Sequence, residues 1–403
     1  MKKKYLMIGL ALILSGSAFS QRILFDNTLG EVCGNADWVV DADVHNLYIN
    51  SSGNVTTTGQ QSNAQRYPTP AQSTINSLTP ENYWTGGISA WGIECVKSGM
   101  TVESLPWNVA ITYGNSSNPQ DLSNYKVFVI DEPNLQMTMA EKAALVNFVY
   151  NGGGLFIVSD HNGSDRNFDG WDSPAIWNDL FTNNGVHANP FGITFDLQDI
   201  SGSYGVTNIP GDSCLNGPYG TVTQVKWSGG TTMTLSTSNN PTVKGDVYKT
   251  GGSGSTNVVF AHGYYGKGRF AAMGDSSPTD DASGDPGDQL YDGWITDASG
   301  NHRKLIMNAT IWLAGGETTT AVNDLLDEAA VSLYPNPADN MIRVQAPELY
   351  TLQIFDMSGR SCLEQQMDIS GGKYIDISDL SAGVYVYKVS GPDGYHAGRF
   401  VKK

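Results

Sequence analysis

Short apolar runs that end in an acid alternate along this chain with amphipathic stretches. Arg22-Ile23-Leu24-Phe25-Asp26, Tyr125-Lys126-Val127-Phe128-Val129-Ile130-Asp131 and Leu155-Phe156-Ile157-Val158-Ser159-Asp160 read as buried strands, and Met100 to Leu105 as another. Thr138-Met139-Ala140-Glu141 is a capping box. The helix behind it lines up Ala144, Leu145, Phe148 and Val149 on one face, and Gly152-Gly153-Gly154 stops it. Strand–helix–strand units with continuous apolar runs predict a parallel sheet covered by helices on both faces. Thr79-Pro80-Glu81 predicts a helix that starts there, runs toward Cys95 and stops near Gly99. Ser173-Pro174 opens another that ends near Gly185, and His302 to Leu313 forms a last one. The polar stretch from Asn46 to Gln72 reads as a long surface loop. Residues 190–250 carry Thr/Val-rich runs and turn signals, the pattern of an antiparallel β insertion. Asn257 to His262 and Arg269 to Gly274 read as paired late strands with a turn over Tyr264 to Lys267.

The two ends of the chain are written differently. Lys2, Lys3 and Lys4 precede an apolar run from Tyr5 to Leu14, and Ala18-Phe19-Ser20 is a small-x-small cleavage site before Gln21. That is a secretory signal peptide, too short for a membrane anchor, and no later stretch is long enough to cross a bilayer. The last segment holds Leu333-Tyr334-Pro335-Asn336-Pro337-Ala338, Leu352-Gln353-Ile354-Phe355-Asp356-Met357-Ser358-Gly359-Arg360, Leu380-Ser381-Ala382-Gly383-Val384-Tyr385-Val386-Tyr387-Lys388-Val389 and a terminal Phe400-Val401-Lys402-Lys403. It resembles the type A C-terminal sorting domain of the type IX secretion system of Bacteroidetes. The resemblance implies export through the periplasm to the outer-membrane surface or the medium, with the secretion machinery as partner. The expected organisation is a signal peptide over 1–20, an α/β domain over 21–315 with its insertion at 190–250, a linker over 316–329, and a sorting domain over 330–403 that reads as a small all-β sandwich.

Composition narrows the function classes. The net charge is −17, with only 23 Lys and Arg among 403 residues, so a basic face for nucleic acid is disfavoured. The span between signal and tail, about 300 residues, is enough for one large core. Export permits disulfides, and Cys33–Cys95 is a candidate pair. No Cys/His spacing reads as a zinc site.

The order "Tyr-Lys-Val-Phe-Val-Ile-Asp", then "Asn-Phe-Val-Tyr-Asn-Gly-Gly-Gly-Leu-Phe-Ile-Val-Ser-Asp-His", then "Tyr-Gly-Lys-Gly-Arg-Phe-Ala-Ala-Met-Gly-Asp" is similar to the class I glutamine-amidotransferase-like superfamily, in its secreted ThuA-like branch. The resemblance implies a flavodoxin-like α/β fold. It does not carry glutaminase chemistry across, because Ser159-Asp160-His161-Asn162-Gly163 stands where those enzymes place a nucleophilic Cys.

Acids at the carboxyl ends of parallel strands face the rim where open α/β sheets bind ligands. Asp26, Asp131, Glu132, Asp160, His161 and Asp275 all occupy such ends. Crowded carboxylates there raise one another's pKa or attract a cation. Asp160, His161, Glu132 and Asp275 are the candidate catalytic group, with His161 or Glu132 as general base. Asp26 is a further carboxylate for a metal. Asp165-Arg166-Asn167-Phe168-Asp169-Gly170 opens like a calcium loop, so Asp165, Asn167 and Asp169 are candidate Ca²⁺ ligands, although Ile176 replaces the closing Glu. Asp280 and Asp281, in an acid-dense loop with Asp285 and Asp288, are further candidate metal ligands. Trp38, Trp84, Trp91, Trp171 and Trp294 are sugar-stacking or core residues, and His45, His187 and His262 read as structural. The expected function is an exported hydrolase-like protein, using Ca²⁺ or another divalent cation and acting on carbohydrate or another extracellular polymer. The rival is a non-catalytic, calcium-stabilised module that binds glycan or protein.

Overall fold

The computed structural model describes residues 21–41, 47–49, 55–57, 71–107, 109–284, 289–295, 300–315, 332–345, 349–356, 360–368, 372–391 and 394–403. The signal peptide, the linker, His45, Asp285 and Asp288 lie outside the described residues. Two compact units divide the chain at Gly316/Glu317.

The first unit begins with β1 (Arg22–Asp26), β2 (Leu47–Ile49), β3 (Val55–Thr57), α1 (Ser89–Lys97), β4 (Thr101–Leu105), β5 (Val127–Asp131), α2 (Met139–Tyr150), β6 (Gly154–Val158) and α3 (Ser173–Thr182). Shorter strands follow: β7 (Ile193–Phe195), β8 (Ile200–Gly205), β9 (Asn216–Gly217), β10 (Gly220–Thr221), β11 (Gln224–Gly230) and β12 (Met233–Leu235). The unit ends with β13 (Lys244–Ser253), β14 (Thr256–Tyr265), β15 (Gly268–Met273) and α4 (His302–Leu313). A nine-stranded mixed sheet runs β4-β1-β5-β6-β15-β14-β12-β7, with β13 also on β14. Pairing is parallel from β4 to β15 and antiparallel beyond.

Strand alternation explains why this sheet has two covered faces. Ile23, Phe25, Val127, Val129, Phe156, Val158, Ala271 and Met273 point to one side, where α1 and α4 supply Trp91, Ile93, Leu305, Ile306 and Trp312. Leu24, Phe128, Ile130, Leu155, Ile157 and Ala272 point to the other, packed by Leu145 and Phe148 of α2 and Trp177 and Phe181 of α3. The predicted stripe on α2 is the buried one, and Thr138 and Glu141 close the capping box. The two layers approach closely where β15 begins. A Cβ on Gly268 would lie 2.0 Å from the carbonyl O of Val149 at the end of α2.

Three expectations are corrected. The first helix begins at Ser89, not at Pro80. Thr79 Oγ1 instead accepts from Asn76 N, closing a local turn at 2.9 Å. The real cap is tertiary: Asp281 Oδ2 accepts from Ala90 N at 2.6 Å and Ser89 Oγ at 2.7 Å. Second, the polar stretch after Asn46 contains an antiparallel pair, β2 with β3. Third, Cys33 and Cys95 form no disulfide. They sit in different apolar clusters, Cys33 beside Val32 and Val39, Cys95 on the buried face of α1.

The second unit is all β. β16 (Ser332–Tyr334), β17 (Met341–Gln345), β18 (Leu349–Asp356), β19 (Ser361–Asp368), β20 (Lys373–Asp376), β21 (Gly383–Gly391) and β22 (Gly394–Lys402) form sheets β16-β17-β20 and β19-β18-β21-β22. Ile342, Val344, Leu352, Ile354, Val389 and Phe400 build its core. Among the described residues no helix is long and apolar enough to cross a membrane.

Gly268→Ala should destabilise the first unit by roughly 3 kcal/mol, because the obstructing atoms are backbone and cannot swing aside. Urea denaturation of the variant against the parent, read by tryptophan fluorescence, measures this.

Candidate functional site

Three adjacent parallel strands deliver acids to one end of the sheet: β5 leads into Asp131 and Glu132, β6 into Asp160, and β15 into Asp275. Glu132 is fully buried and holds φ +48°, a left-handed conformation that costs a non-glycine residue about 1 kcal/mol and marks a constrained site. Its carboxylate accepts from Trp38 Nε1 at 2.6 Å, Ser276 Oγ at 2.9 Å and Arg166 Nη2 at 3.1 Å, and from Arg166 Nε. Arg166 Nη2 also reaches Asp160 Oδ2 at 3.3 Å, and Arg166 Nη1 donates to Asn35 Oδ1 at 2.7 Å. One guanidinium therefore joins Glu132 to Asp160.

Asp160 is 3% exposed and takes His161 N on Oδ1 at 2.8 Å. Burial, then the nearby Glu132 and Asp275 charges, push its carboxyl well above the usual carboxylate range. Burial pushes Asp275 up to about 7, against hydrogen bonds from Ser228 N and from Ser277 N at 2.9 Å that lower it. Asp131 is also raised by burial, with Thr279 Oγ1 donating to Oδ2 at 2.7 Å while Oδ1 has no partner. His161 is half-buried, and its Nδ1 is 2.9 Å from the carbonyl O of Asn162. A carbonyl can only accept, so Nδ1 carries a proton and Nε2 is the ring nitrogen left for other partners.

A cleft of about 170 Å³ opens over this cluster. Asp160, His161, Arg166, Ser228, Ser276 and Tyr291 are among its lining residues. Asp160 and His161 thus share one cleft, while Glu132 and Asp275 lie sealed beneath. Ser159 is fully buried.

The candidate metal ligands go elsewhere. Asp26 accepts from Thr28 Oγ1 at 3.0 Å and shares a hydrogen bond with Glu31, also fully buried. Asp165 spends Oδ1 on Asp169 N at 3.1 Å and Oδ2 on Gly170 N at 2.8 Å. Asp169 accepts from Trp171 N at 2.9 Å and from Asn167 Nδ2 at 2.8 Å. Each of these side chains folds its own turn. Asp280, raised to about 7 by burial, accepts from Ala282 N and Tyr291 N, each at 2.8 Å. Asp281 caps α1. Among the described residues Asp212, Cys214 and His262 each bring one ligand atom within 4.8 Å of the other two.

Sequence reasoning missed Arg166 as the hub. Its only signal was a lone cation in the acid-rich 165–172 loop. Ser228 and Ser276 carried no signal at all. Trp38 was singled out for stacking, yet its indole is 3% exposed and serves Glu132 as a donor.

Residues 332–403 match the family model for the secretion system C-terminal sorting domain. The tail is a type IX sorting domain. The protein is therefore secreted or attached at the outer-membrane surface, and its tail engages the secretion machinery. No curated protein matches the chain. Solved structures that align with parts of the chain include the mmIFT52 N-terminal domain, at 16% identity and TM-score 0.39, over 60% of this chain and 97% of that one. A cytoplasmic protein from Salmonella typhimurium LT2 aligns at 14% identity and TM-score 0.37, over 73% and 97%. A beta-galactosidase from Bacillus circulans sp. alkalophilus aligns at 12% identity and TM-score 0.30, over 69% of this chain and 34% of that one. At these scores none bears on activity.

Two outcomes follow from the buried acids. Asp26 is raised to about 6 chiefly by burial, against about 3.9 in an unfolded chain. The folded state therefore keeps a proton that the unfolded state loses. The stabilisation it brings is complete below about pH 4 and is lost as pH rises through about 6. Asp26→Asn replaces the shared proton with a permanent N–H donor. The unfolding free energy of this variant, from urea denaturation at each pH, should gain on the parent's as pH rises from 4 to 8, by an amount on the order of 2 kcal/mol. Equal pH slopes for the two proteins would refute the proton-sharing pair. Asp281→Ala should cost about 1 kcal/mol or more by uncapping α1, measured by thermal denaturation.

Proposed function

We propose that this chain is an exported hydrolase that transfers protons at Asp160 and His161, acting on an extracellular polymer, carbohydrate first. The observation that carries this reading is that Asp160, whose carboxyl burial pushes well above the usual carboxylate range, lines the same cleft as His161. Such a pair offers a general acid and a general base on one substrate, worth about 10²–10⁴ in rate each. Arg166 and Glu132 set the position of Asp160. Asp275 adds the negative field that keeps the proton on it. Preference for carbohydrate is supported by the export address and by a cleft wall of hydroxyl, carboxyl and guanidinium groups, which match sugar hydroxyls. Tyr291, exposed at the rim, offers a ring face.

We further propose that the core is flavodoxin-like, of the class I glutamine-amidotransferase-like type. Counted along the chain, the five parallel strands follow the order 2-1-3-4-5. Glutaminase chemistry is not part of the reading. Cys33, Cys95 and Cys214 are fully buried and their thiols are pushed up by burial. A cation at the cleft is not required either, since Arg166 already bridges the carboxylates.

The test is a hydrolysis screen over polysaccharides and chromogenic glycosides. Asp160→Asn should lower turnover at least 10²-fold without lowering the melting temperature, and His161→Ala should do likewise. Turnover that survives Asp160→Asn would sink the assignment. A chain that binds glycans, hydrolyses none of the panel and melts earlier after either change would be a binding module.

A further inference from the structure

A second polar cluster lies in the antiparallel half of the sheet and shares no residue with the cleft. Asp212 and Cys214 precede β9, and His262 is on β14. One ligand atom from each lies within 4.8 Å of the other two. His262 Nδ1 is occupied by Asp246 Oδ2 on β13, so Nε2 is the free ring nitrogen, 3.8 Å from Asp212 Oδ2. All four residues are buried: Cys214 0%, Asp246 2%, Asp212 3% and His262 4% exposed. Two ligand atoms about 2.0–2.2 Å from one tetrahedral zinc are roughly 3.4 Å apart, so the 3.8 Å between His262 Nε2 and Asp212 Oδ2 asks for a shift of about 0.4 Å, and the group as a whole, within 4.8 Å, for no more than about 1.4 Å. A carboxylate behind the other ring nitrogen is the usual outer support of a metal-binding histidine.

A cation already marks the place. Lys244 Nζ pairs with Asp212 Oδ2, and its side chain is 47% exposed, so it has an open route to solvent. Asp212 Oδ1 meanwhile accepts from Cys214 N at 3.0 Å and Leu215 N at 3.1 Å, which holds the Asp-x-Cys turn in shape.

We propose that Asp212, Cys214 and His262 bind one zinc-class divalent ion, with Asp246 orienting His262 and a water as fourth ligand. On binding, the Cys214 thiol proton leaves to solvent and the sulfur bonds the metal. Lys244 releases Asp212. Thiolate and carboxylate then balance the two positive charges, and Lys244 turns to solvent. The ion clips the 212–214 loop to β14, a structural role, since the ligands are sealed from the cleft.

The experiment titrates tag-free, chelator-treated full-length protein with Co²⁺ and then Zn²⁺. One equivalent of Co²⁺ should give a thiolate-to-metal band in the near ultraviolet with tetrahedral visible bands, and Zn²⁺ should displace it and raise the melting temperature. Cys214→Ser should lose the ultraviolet band, Lys244→Met should bind more tightly, and Asp169→Asn should behave as the parent. A parent protein that shows neither band nor thermal shift at saturating metal overturns the proposal, leaving a charge-balanced ion-pair network. The parent titration decides this even if Cys214→Ser fails to fold.

Discussion

The pairing of Arg166 with Glu132 holds the candidate site together. Glu132 sits at the end of β5 with no solvent to share its charge. Four donors from three other segments converge on it: the Trp38 indole, the Ser276 hydroxyl and two nitrogens of Arg166. A buried pair of this kind is weak evidence for net stability, because desolvation offsets much of the attraction. What it supplies is position. Without Arg166, Glu132 would be an uncompensated buried charge, and the 160–166 loop would lose its tie to β5.

One cation cannot neutralise so many acids. Asp131, Asp160, Asp275 and Asp280 are all driven upward by burial. The rise at Asp160 comes first from burial and then from the Glu132 and Asp275 charges. It links the strand topology to the proposed acid–base chemistry, since neighbouring parallel strands must end at one edge.

The separate β8–β11 pair serves that edge too. The end of β11 brings Ser228 N onto Asp275, and Thr231 N just after it donates to the carbonyl O of Gly274. A Cβ on Gly230 would meet Asp275 Cβ at 2.6 Å, so only glycine lets the two segments approach. The antiparallel half of the large sheet carries His262, Asp246 and Lys244, a cluster with its own internal logic of charge.

Local sequence determined much of this protein. Buried strands announced themselves as apolar runs, the α2 stripe and its capping box read correctly, and the tail's motifs carried the export address. These are short-range properties, set by backbone sterics and residue spacing. The acids at the ends of β5, β6 and β15 were legible because strand ends are local features, and a parallel sheet puts them at one edge. Tertiary structure alone decided what each acid does. Asp281 became the cap of a helix far earlier in the chain, Asp26 found Glu31, and Asp165 and Asp169 turned back on their own loop. Arg166 became the hub, and Cys214 met His262. Partner choice depends on distances between segments far apart in the chain, and on desolvation that only the packed fold imposes.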